Sequence, residues 1–278
     1  MNILKTTVQA VIRRPFVIIL PAALMLLFTL LNTYNPILPV IAGIASVTGS
    51  SLFDSLVSVI QLLLNPSLIP VILVAFSGTV LLASLFTGLV LSGYFNVLVS
   101  ALDGAPAKRG EFLEGLKRYF TRYFFISLRT VPFMLLLATF MLVSSVPAVI
   151  VTRAVTADKP ELLIAAVFVD ILTFAVLFFA FIFSRAYIFF WYPSGLKAGK
   201  KPFAYGKRLV DVHFWGIVLR IFVFDIVFAV FCYLTSITGS PILQLLLGWV
   251  FNTAFFTTLG VYVFNAFREF SSFPVPED

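Results

Sequence analysis

Long apolar stretches dominate this chain and constrain its fold more than any other feature. Six such stretches run through the 278-residue sequence. Inside a bilayer only a helix or a closed barrel satisfies its own backbone polar groups, and a spanning helix needs about 20 mainly apolar residues. Only 11% of the residues are charged, whereas soluble domains carry about 25%, which excludes a water-soluble enzyme. The sequence therefore predicts an all-α, polytopic membrane protein.

The apolar stretches predict six transmembrane helices. They cover residues 16–31, 68–100, 123–151, a fourth helix that begins near Leu162, 214–236 and 241–267. No small-residue cleavage site follows the first stretch between residues 28 and 36, which favours a retained helix over a signal peptide. We expect a single six-helix domain over residues 1–270 and a disordered cytoplasmic tail over residues 271–278.

The distribution of lysine and arginine predicts the orientation of these helices, because cytoplasmic loops carry most of the basic residues. An inside amino terminus puts two basic groups in cytoplasmic loops: Lys108, Arg109, Lys117, Arg118 and Arg122, then Lys197, Lys200, Lys201, Lys207 and Arg208. Only Arg153 and Lys159 then fall outside. We therefore expect both termini in the cytoplasm, and the plasma membrane of a prokaryote as the location. This topology accounts for the net charge of +7, because basic loops on the cytoplasmic side attract the anionic lipid of the inner leaflet. We therefore expect anionic lipid as a partner and do not expect nucleic acid.

The chain also contains an apparent internal repeat. A shift of 91 positions aligns residues 104–129 with residues 195–220 and gives 7 identities in 26 positions. The identical pairs are Gly104/Gly195, Ala107/Ala198, Phe112/Phe203, Gly115/Gly206, Ile126/Ile217, Leu128/Leu219 and Arg129/Arg220. With a weaker copy at Gln9–Arg14, this predicts parallel hairpin repeats over residues 1–67, 68–160 and 161–267, with basic cytoplasmic helices that lie in the membrane plane.

Two runs within the repeat carry a resemblance to a known group of proteins. The run SGYFNVLVSALDGAPAKRGEFLEGLKRYF and the later run YPSGLKAGKKPFAYGKRLVDVHFW resemble uncharacterised prokaryotic six-helix membrane proteins. These are similar to the membrane domain of some glycerophosphoryl diester phosphodiesterases. The resemblance implies a six-helix fold without a settled activity, and it carries no catalytic residue onto this chain.

Two acidic residues lie inside the apolar helices and form the first candidate site. A charge near the centre of a membrane helix costs about 2.5–3.5 kcal/mol on insertion scales, so each one requires an explanation. Asp170 and Asp225 fall at similar depths in helices four and five, and Asn252 at a similar depth in helix six. The three could form a midplane polar site that shares a proton or binds a cation. Alternatively, each aspartic acid stays protonated and holds helices together by hydrogen bonds.

A second candidate group consists of three arginines near the inner ends of the helices: Arg129, Arg185 and Arg220. Arginines at this depth usually extend to lipid phosphate. They could instead face inward and hold an anion at the inner mouth. Small residues such as Gly88 and Thr257 line faces of helices two and six, which suits close helix packing or a pore lining.

Catalytic and metal-binding motifs are absent from the sequence. There is one histidine and one cysteine, and no glycine loop of a nucleotide-binding pattern. We therefore expect neither an enzyme nor a cofactor or metal site. An amphipathic helix predicted over residues 51–65 on the outer surface is compatible with a lid or with a docking surface.

Two functions remain open from the sequence. One is a transporter or channel-like protein for a small solute, ion or lipid. The other is a noncatalytic scaffold or accessory protein that binds anionic lipid or a partner. A homo-oligomer or a partner subunit is compatible with both.

Overall fold

The structure is helical throughout the residues it describes. This computed structural model describes residues 3–33, 65–156, 160–196, 201–238 and 240–272, and within these ranges it contains seven α-helices and no strand. The helices are α1 (Ile3–Arg13), α2 (Phe16–Thr33), α3 (Ile69–Leu102), α4 (Glu111–Thr156), α5 (Leu163–Ser194), α6 (Pro202–Ser236) and α7 (Pro241–Ser272). Most of the predicted outer amphipathic helix and most of the tail lie outside the described residues.

Five of these helices, α3 to α7, are long and apolar enough to cross a membrane. At most 17% of the most apolar stretch of each helix is buried inside the protein. Apolar side chains that face outward along five long helices require lipid around them, since a soluble monomer rarely exposes large apolar patches. The prediction of a polytopic helical membrane protein is confirmed.

The first predicted span corresponds to α2, which follows α1 after a sharp bend. The axes of α1 and α2 differ by 98°, and the two helices satisfy the criteria for a span only when they are taken together. The break falls at Arg14 and Pro15, where the proline cannot continue the hydrogen-bond ladder of α1. If α2 crosses the membrane, α1 lies close to the membrane plane. The number of six spans therefore stays a prediction.

Helix α1 presents three distinct faces. One is buried against the protein, one is apolar and exposed, and one is polar and exposed. The buried face contains Thr7 and Ala10. The apolar exposed face contains Leu4, Val8 and Ile12, and the polar exposed face contains Lys5, Gln9 and Arg13. At about 100° per residue these faces are roughly a third of a turn apart. This division is typical of a helix at the boundary between lipid and water.

The basic segments that precede the second and third hairpins join the membrane helices directly. Helix α4 runs without interruption from its basic start into the predicted span. Helix α6 does the same but contains a kink at His213, whose φ and ψ are −115° and 21°. The His213 ring stacks on Phe270 with centroids 4.3 Å apart. The sequence predicted basic in-plane helices that turn into membrane helices, and their orientation to the membrane stays a prediction.

The chain forms two compact units, and the boundary between them falls within α3, α4 and α5. Unit one contains Met1–Tyr34, Ser84–Ser127 and Ser184–Asp278, and unit two contains Asn35–Ala83 and Leu128–Phe183. In unit one, α7 packs against α1, α2 and α6. A continuous apolar core with Val17, Leu98 and Val261 at its centre joins α2, α3 and α7.

A buried ion pair connects the bend between α1 and α2 with the start of α4. Arg14 donates from Nε and Nη2 to the two carboxylate oxygens of Glu111, both at 2.8 Å. Nη2 also donates to the carbonyl of Ala105 at 3.1 Å, and the Lys108 amide donates to Glu111 at 3.1 Å. Arg14 and Glu111 are each only 8% exposed. Two-point pairing of this kind fixes geometry as well as charge.

Glycine allows close helix crossings at corresponding positions of two predicted repeat units. Gly115 and Gly206 are each the fifth residue of their helices, α4 and α6. A β-carbon on Gly115 would lie 2.8 Å from the Ser92 carbonyl oxygen and would also clash with the β-carbon of Asn96. A β-carbon on Gly206 would lie 3.0 Å from the Phe190 carbonyl oxygen. The correspondence is compatible with the repeat, which stays a prediction.

We predict that Glu111→Gln destabilises the protein strongly. The change leaves the Arg14 guanidinium buried without a compensating charge, which costs about 3–5 kcal/mol in buried pairs. Thermal unfolding of the detergent-solubilised protein measures the effect, with Glu114→Gln as the control because Glu114 is exposed one turn away. Equal midpoints for the two variants would contradict the role assigned to the pair.

We predict that Gly115→Ala lowers stability by about 1–3 kcal/mol, the usual cost of overpacking. Gly216→Ala is the matched control, because a β-carbon there would have no neighbour within 4 Å and alanine is the better helix former by up to about 1 kcal/mol. Unfolding midpoints of both variants, measured in one detergent, test the close crossing. A neutral Gly115→Ala would show that α3 and α4 do not approach as described.

Candidate functional site

An ion pair joins α5 and α6 within the apolar part of both helices. Arg185 Nη1 donates to Asp225 Oδ1 at 2.5 Å. Asp225 lies 12 residues after the kink at His213 and 11 residues before Ser236, so it is near the middle of the predicted fifth span. The side chains of Arg185 and Asp225 are 13% and 27% exposed. The pair is therefore partly accessible and far from either end of α6.

This pairing joins residues from two different groups predicted from the sequence. Asp225 was predicted in the midplane polar site, and Arg185 at the inner mouth. The Arg185 guanidinium also lies over the Phe189 ring, 5.2 Å from its centroid, where the ring face attracts a cation. Charge neutralisation by Arg185 makes Asp225 a poorer ligand for a cation than an isolated carboxylate would be.

Asp170 has a different environment. It lies in unit two, is exposed, and accepts hydrogen bonds from the Thr152 hydroxyl at 3.2 Å and 3.1 Å. Thr152 belongs to α4 and Asp170 to α5, so this bond connects two helices through a neutral donor. Each of the two predicted aspartates thus has its own partner. A shared site of Asp170, Asp225 and Asn252 stays a prediction.

Asn252 is half-buried in α7, beside a face of small and hydroxyl residues. Within the described ranges no hydrogen bond joins it to Asp225. The hydroxyls of Thr253 and Thr257 donate to carbonyls four residues earlier in α7, at 2.8 Å and 2.7 Å. Hydroxyls bonded to their own helix need no water, which favours close packing over a pore lining on this face.

Arg220 lies on a different side of α6 from Asp225. The two are five residues apart, which places them about 140° apart around the helix. Arg220 Nη1 lies 3.9 Å from a Glu269 carboxylate oxygen, and the guanidinium lies 5.7 Å from the centroid of the Phe270 ring. Both partners belong to α7. Helix α6 therefore presents Asp225 to α5 and Arg220 to α7.

Arg220 lines two open cavities of unit one. The larger, of about 680 Å³, is lined by Ile3, Arg220, Val223, Phe224, Tyr262, Asn265, Ala266, Arg268 and Glu269, and we call it the inner groove. The smaller, of about 420 Å³, is lined by Asp211, Val212, His213, Phe214, Trp215, Gly216, Arg220 and Phe270 beside the kink of α6. Among the three predicted arginines, Arg220 therefore lines cavities that are large enough to hold a ligand.

The third predicted arginine, Arg129, is exposed on α4 in unit two. Its matched position in the repeat, Arg220, has a different environment, because it lines the inner groove. A contact between Arg129 and lipid phosphate stays a prediction.

Two polar residues of the inner groove were missed by the sequence analysis. The hydroxyl of Tyr262 and the amide nitrogen of Asn265 are buried and have no hydrogen-bond partner. Asn265 could have been found by the criterion applied to Asn252, a polar residue in an apolar helix. Tyr262 carries no such signal, because tyrosine is common in membrane helices and at their ends.

No metal site is found in the part of the chain that the structure describes, in the sense of three or more His, Cys, Asp or Glu side chains grouped together. Comparisons with protein-family models, with curated proteins and with solved structures find no match. The resemblance to phosphodiesterase membrane domains therefore stays a prediction, and the function is argued from the geometry of the site.

We predict a favourable coupling of about 1–3 kcal/mol between Arg185 and Asp225, the range for charged residues in contact. Arg185→Leu, Asp225→Leu and the double variant form the cycle, which is read from unfolding in a denaturing-detergent titration. Each single variant should be less stable than the double variant, because it leaves one charge inside the membrane helices without its partner. Asp170→Asn combined with Arg185→Leu is the control, and coupling there as large as in the main cycle would argue against the assigned pair.

Proposed function

We propose that this integral membrane protein transports a small solute, and that Arg185 and Asp225 form its midplane polar site. The observation that carries the proposal is the ion pair between Asp225, near the middle of the predicted fifth span, and Arg185, nine residues before the end of α5. Ionisable residues inside membrane helices are rare and usually mark the pathway of a substrate or an ion. The hydrogen bond from the neutral Thr152 hydroxyl to Asp170 illustrates that helices can be joined without a buried ion pair.

The pairing favours an anion, moved together with a proton, as the solute. While Asp225 is ionised, its charge and that of Arg185 cancel. When Asp225 takes up a proton, the pair breaks and the site carries the single positive charge of Arg185, which then requires an anion. Release of the proton restores the pair and expels the anion. The sequence had left a cation or a shared proton open, and the partner of Asp225 is the reason to prefer the anion.

The proposal includes a plasma-membrane location in a prokaryote, with both termini in the cytoplasm. The exposed basic residues Lys5 and Arg13 on α1 support this orientation, as do the basic starts of α4 and α6. Positive charge on that side also favours contact with anionic lipid of the inner leaflet.

A scaffold or accessory role is the second candidate. The hydroxyls of Thr253 and Thr257, turned back onto α7, favour this alternative because they indicate a dry helix interface. In such a role the Arg185–Asp225 pair would only hold α5 and α6 together. A homo-oligomer or a partner subunit would then carry the activity.

The test is ion flux in liposomes that contain the purified protein. Proton uptake is followed by an internal pH dye, with chloride or inorganic phosphate as the anion and sodium or potassium as the cation. We expect anion-dependent proton flux in the wild type. Asp225→Asn should lower that flux by about 100-fold, the lower end of what a proton-transfer group contributes. Asp170→Asn is the matched control and should keep most of it.

The outcomes separate the two candidates. Flux that survives in folded Asp225→Asn, or that is lost instead in Asp170→Asn, contradicts the assignment of the site. No flux in the wild type with any of these ions, together with destabilisation of Asp225→Asn, favours the scaffold.

A further inference from the structure

The inner groove combines an apolar wall with a small group of polar side chains. Most of its lining surface is apolar and comes from Val223 and Phe224 on α6, Ala266 on α7 and Ile3 at the start of α1. The polar groups come from Arg220, near the middle of α6, and from the second half of α7. A groove of this composition suits a molecule with an apolar part and a polar head.

Two hydrogen-bond donors of the groove are left without partners. Tyr262 is 2% exposed. Its hydroxyl lies beside the Arg220 guanidinium, which can donate to it, but its own O–H has no acceptor. The amide nitrogen of Asn265, three residues along the same face of α7, is also buried and unpartnered. An unsatisfied buried polar group costs about 1–3 kcal/mol. Both donors line the groove, so a ligand with acceptor oxygens would satisfy them together.

The charged residues of the groove favour an anion. Arg268 is bound to α3, because its Nη2 donates to Asp103 at 2.6 Å. Arg220 instead has Glu269 at 3.9 Å, with both side chains nearly half exposed. Exposed pairs contribute only about 0–1 kcal/mol, so an anion can compete with Glu269 for the guanidinium.

We propose that the inner groove binds the phosphate group of an amphiphile, a phospholipid of the inner leaflet. Arg220 would contact two phosphate oxygens through its planar fork. Tyr262 and Asn265 would each donate one hydrogen bond to the same group. Free inorganic phosphate offers the same oxygens, but it leaves the apolar wall formed by Phe224 and Ile3 uncovered.

The apolar part of the amphiphile has a matching surface on α7. A third cavity, of about 300 Å³, lies between α1, α2 and α7 and is lined almost entirely by apolar surface. Its lining includes Leu4, Ala254 and Thr258. Ala254, Thr258 and Tyr262 follow one another at intervals of four residues, so they share one face of α7. The first turn of α1 contributes Ile3 to the inner groove and Leu4 to this apolar cavity.

This inference does not depend on the proposed transport. It concerns Arg220 and the face of α6 turned to α7, whereas transport was assigned to Asp225 on the face turned to α5. Loss of flux and loss of lipid binding are therefore separate results, obtained with separate variants.

Native mass spectrometry of the full chain in a maltoside detergent tests the proposal. The probes are phosphatidylglycerol, diacylglycerol with the same acyl chains, and inorganic phosphate. We expect phosphatidylglycerol to bind at least about tenfold more tightly than diacylglycerol, because a hydrogen bond to a charged group exceeds the 1.4 kcal/mol that corresponds to tenfold. Arg220→Gln and Tyr262→Phe should each weaken its binding by about tenfold.

Tyr233→Phe is the matched control. It changes an exposed tyrosine of α6, and it should bind phosphatidylglycerol as the wild type does. Tyr262→Phe removes one oxygen that has no partner, so it should unfold at the wild-type temperature even if Arg220→Gln does not fold. Unchanged binding in Tyr262→Phe, or equal binding of diacylglycerol, overturns the proposal. Equal affinity for inorganic phosphate overturns the amphiphile and leaves a site for the free ion.

Discussion

The packing of unit one depends on a buried guanidinium at a bend in the chain. Where α1 ends, α3 ends and α4 begins, backbone carbonyls and amides lose their helical partners. Arg14 bonds to the carbonyls of Arg13 and Ala105, Arg13 bonds to the carbonyl of Ala101, and Glu111 takes both the Arg14 charge and the Lys108 amide. Arg13 and the Arg14–Glu111 pair together satisfy backbone groups at three helix ends, and the pair connects the bend between α1 and α2 with the start of α4.

Helix α6 organises the candidate sites because different faces meet different neighbours. The face with Asp225 meets Arg185 of α5, and the face with Arg220 meets the polar end of α7. The two faces belong to one continuous stretch of helix that follows the kink at His213. A shift of α6 against α5 would therefore also move Arg220 relative to Tyr262.

The sequence predicted the parts of the fold that lipid dictates and missed the parts that depend on rotation about a helix axis. Apolar length predicted the spans α3 to α7, because a bilayer leaves few alternatives. Depth along the chain predicted Asp225 near the middle of its span, but depth does not tell which neighbour a side chain faces, so its pairing with Arg185 was not predicted. Tyr262 was missed for a related reason. Its importance comes from a hydroxyl left without a partner, and no residue pattern encodes that.

The three faces of α1 have a further consequence for the behaviour of the protein outside its membrane. If α1 lies at the membrane surface, the exposed stripe of Leu4, Val8 and Ile12 meets the surrounding amphiphile at the level of its head and first methylenes, while Thr7 and Ala10 hold α1 against the protein. A detergent micelle curves away at that level, whereas a bilayer stays flat. The position of α1, and with it the first turn that borders the inner groove, is therefore coupled to the curvature of its surroundings. The structure of the protein in bilayer discs should therefore differ from its structure in micelles of the same thickness first at the amino terminus.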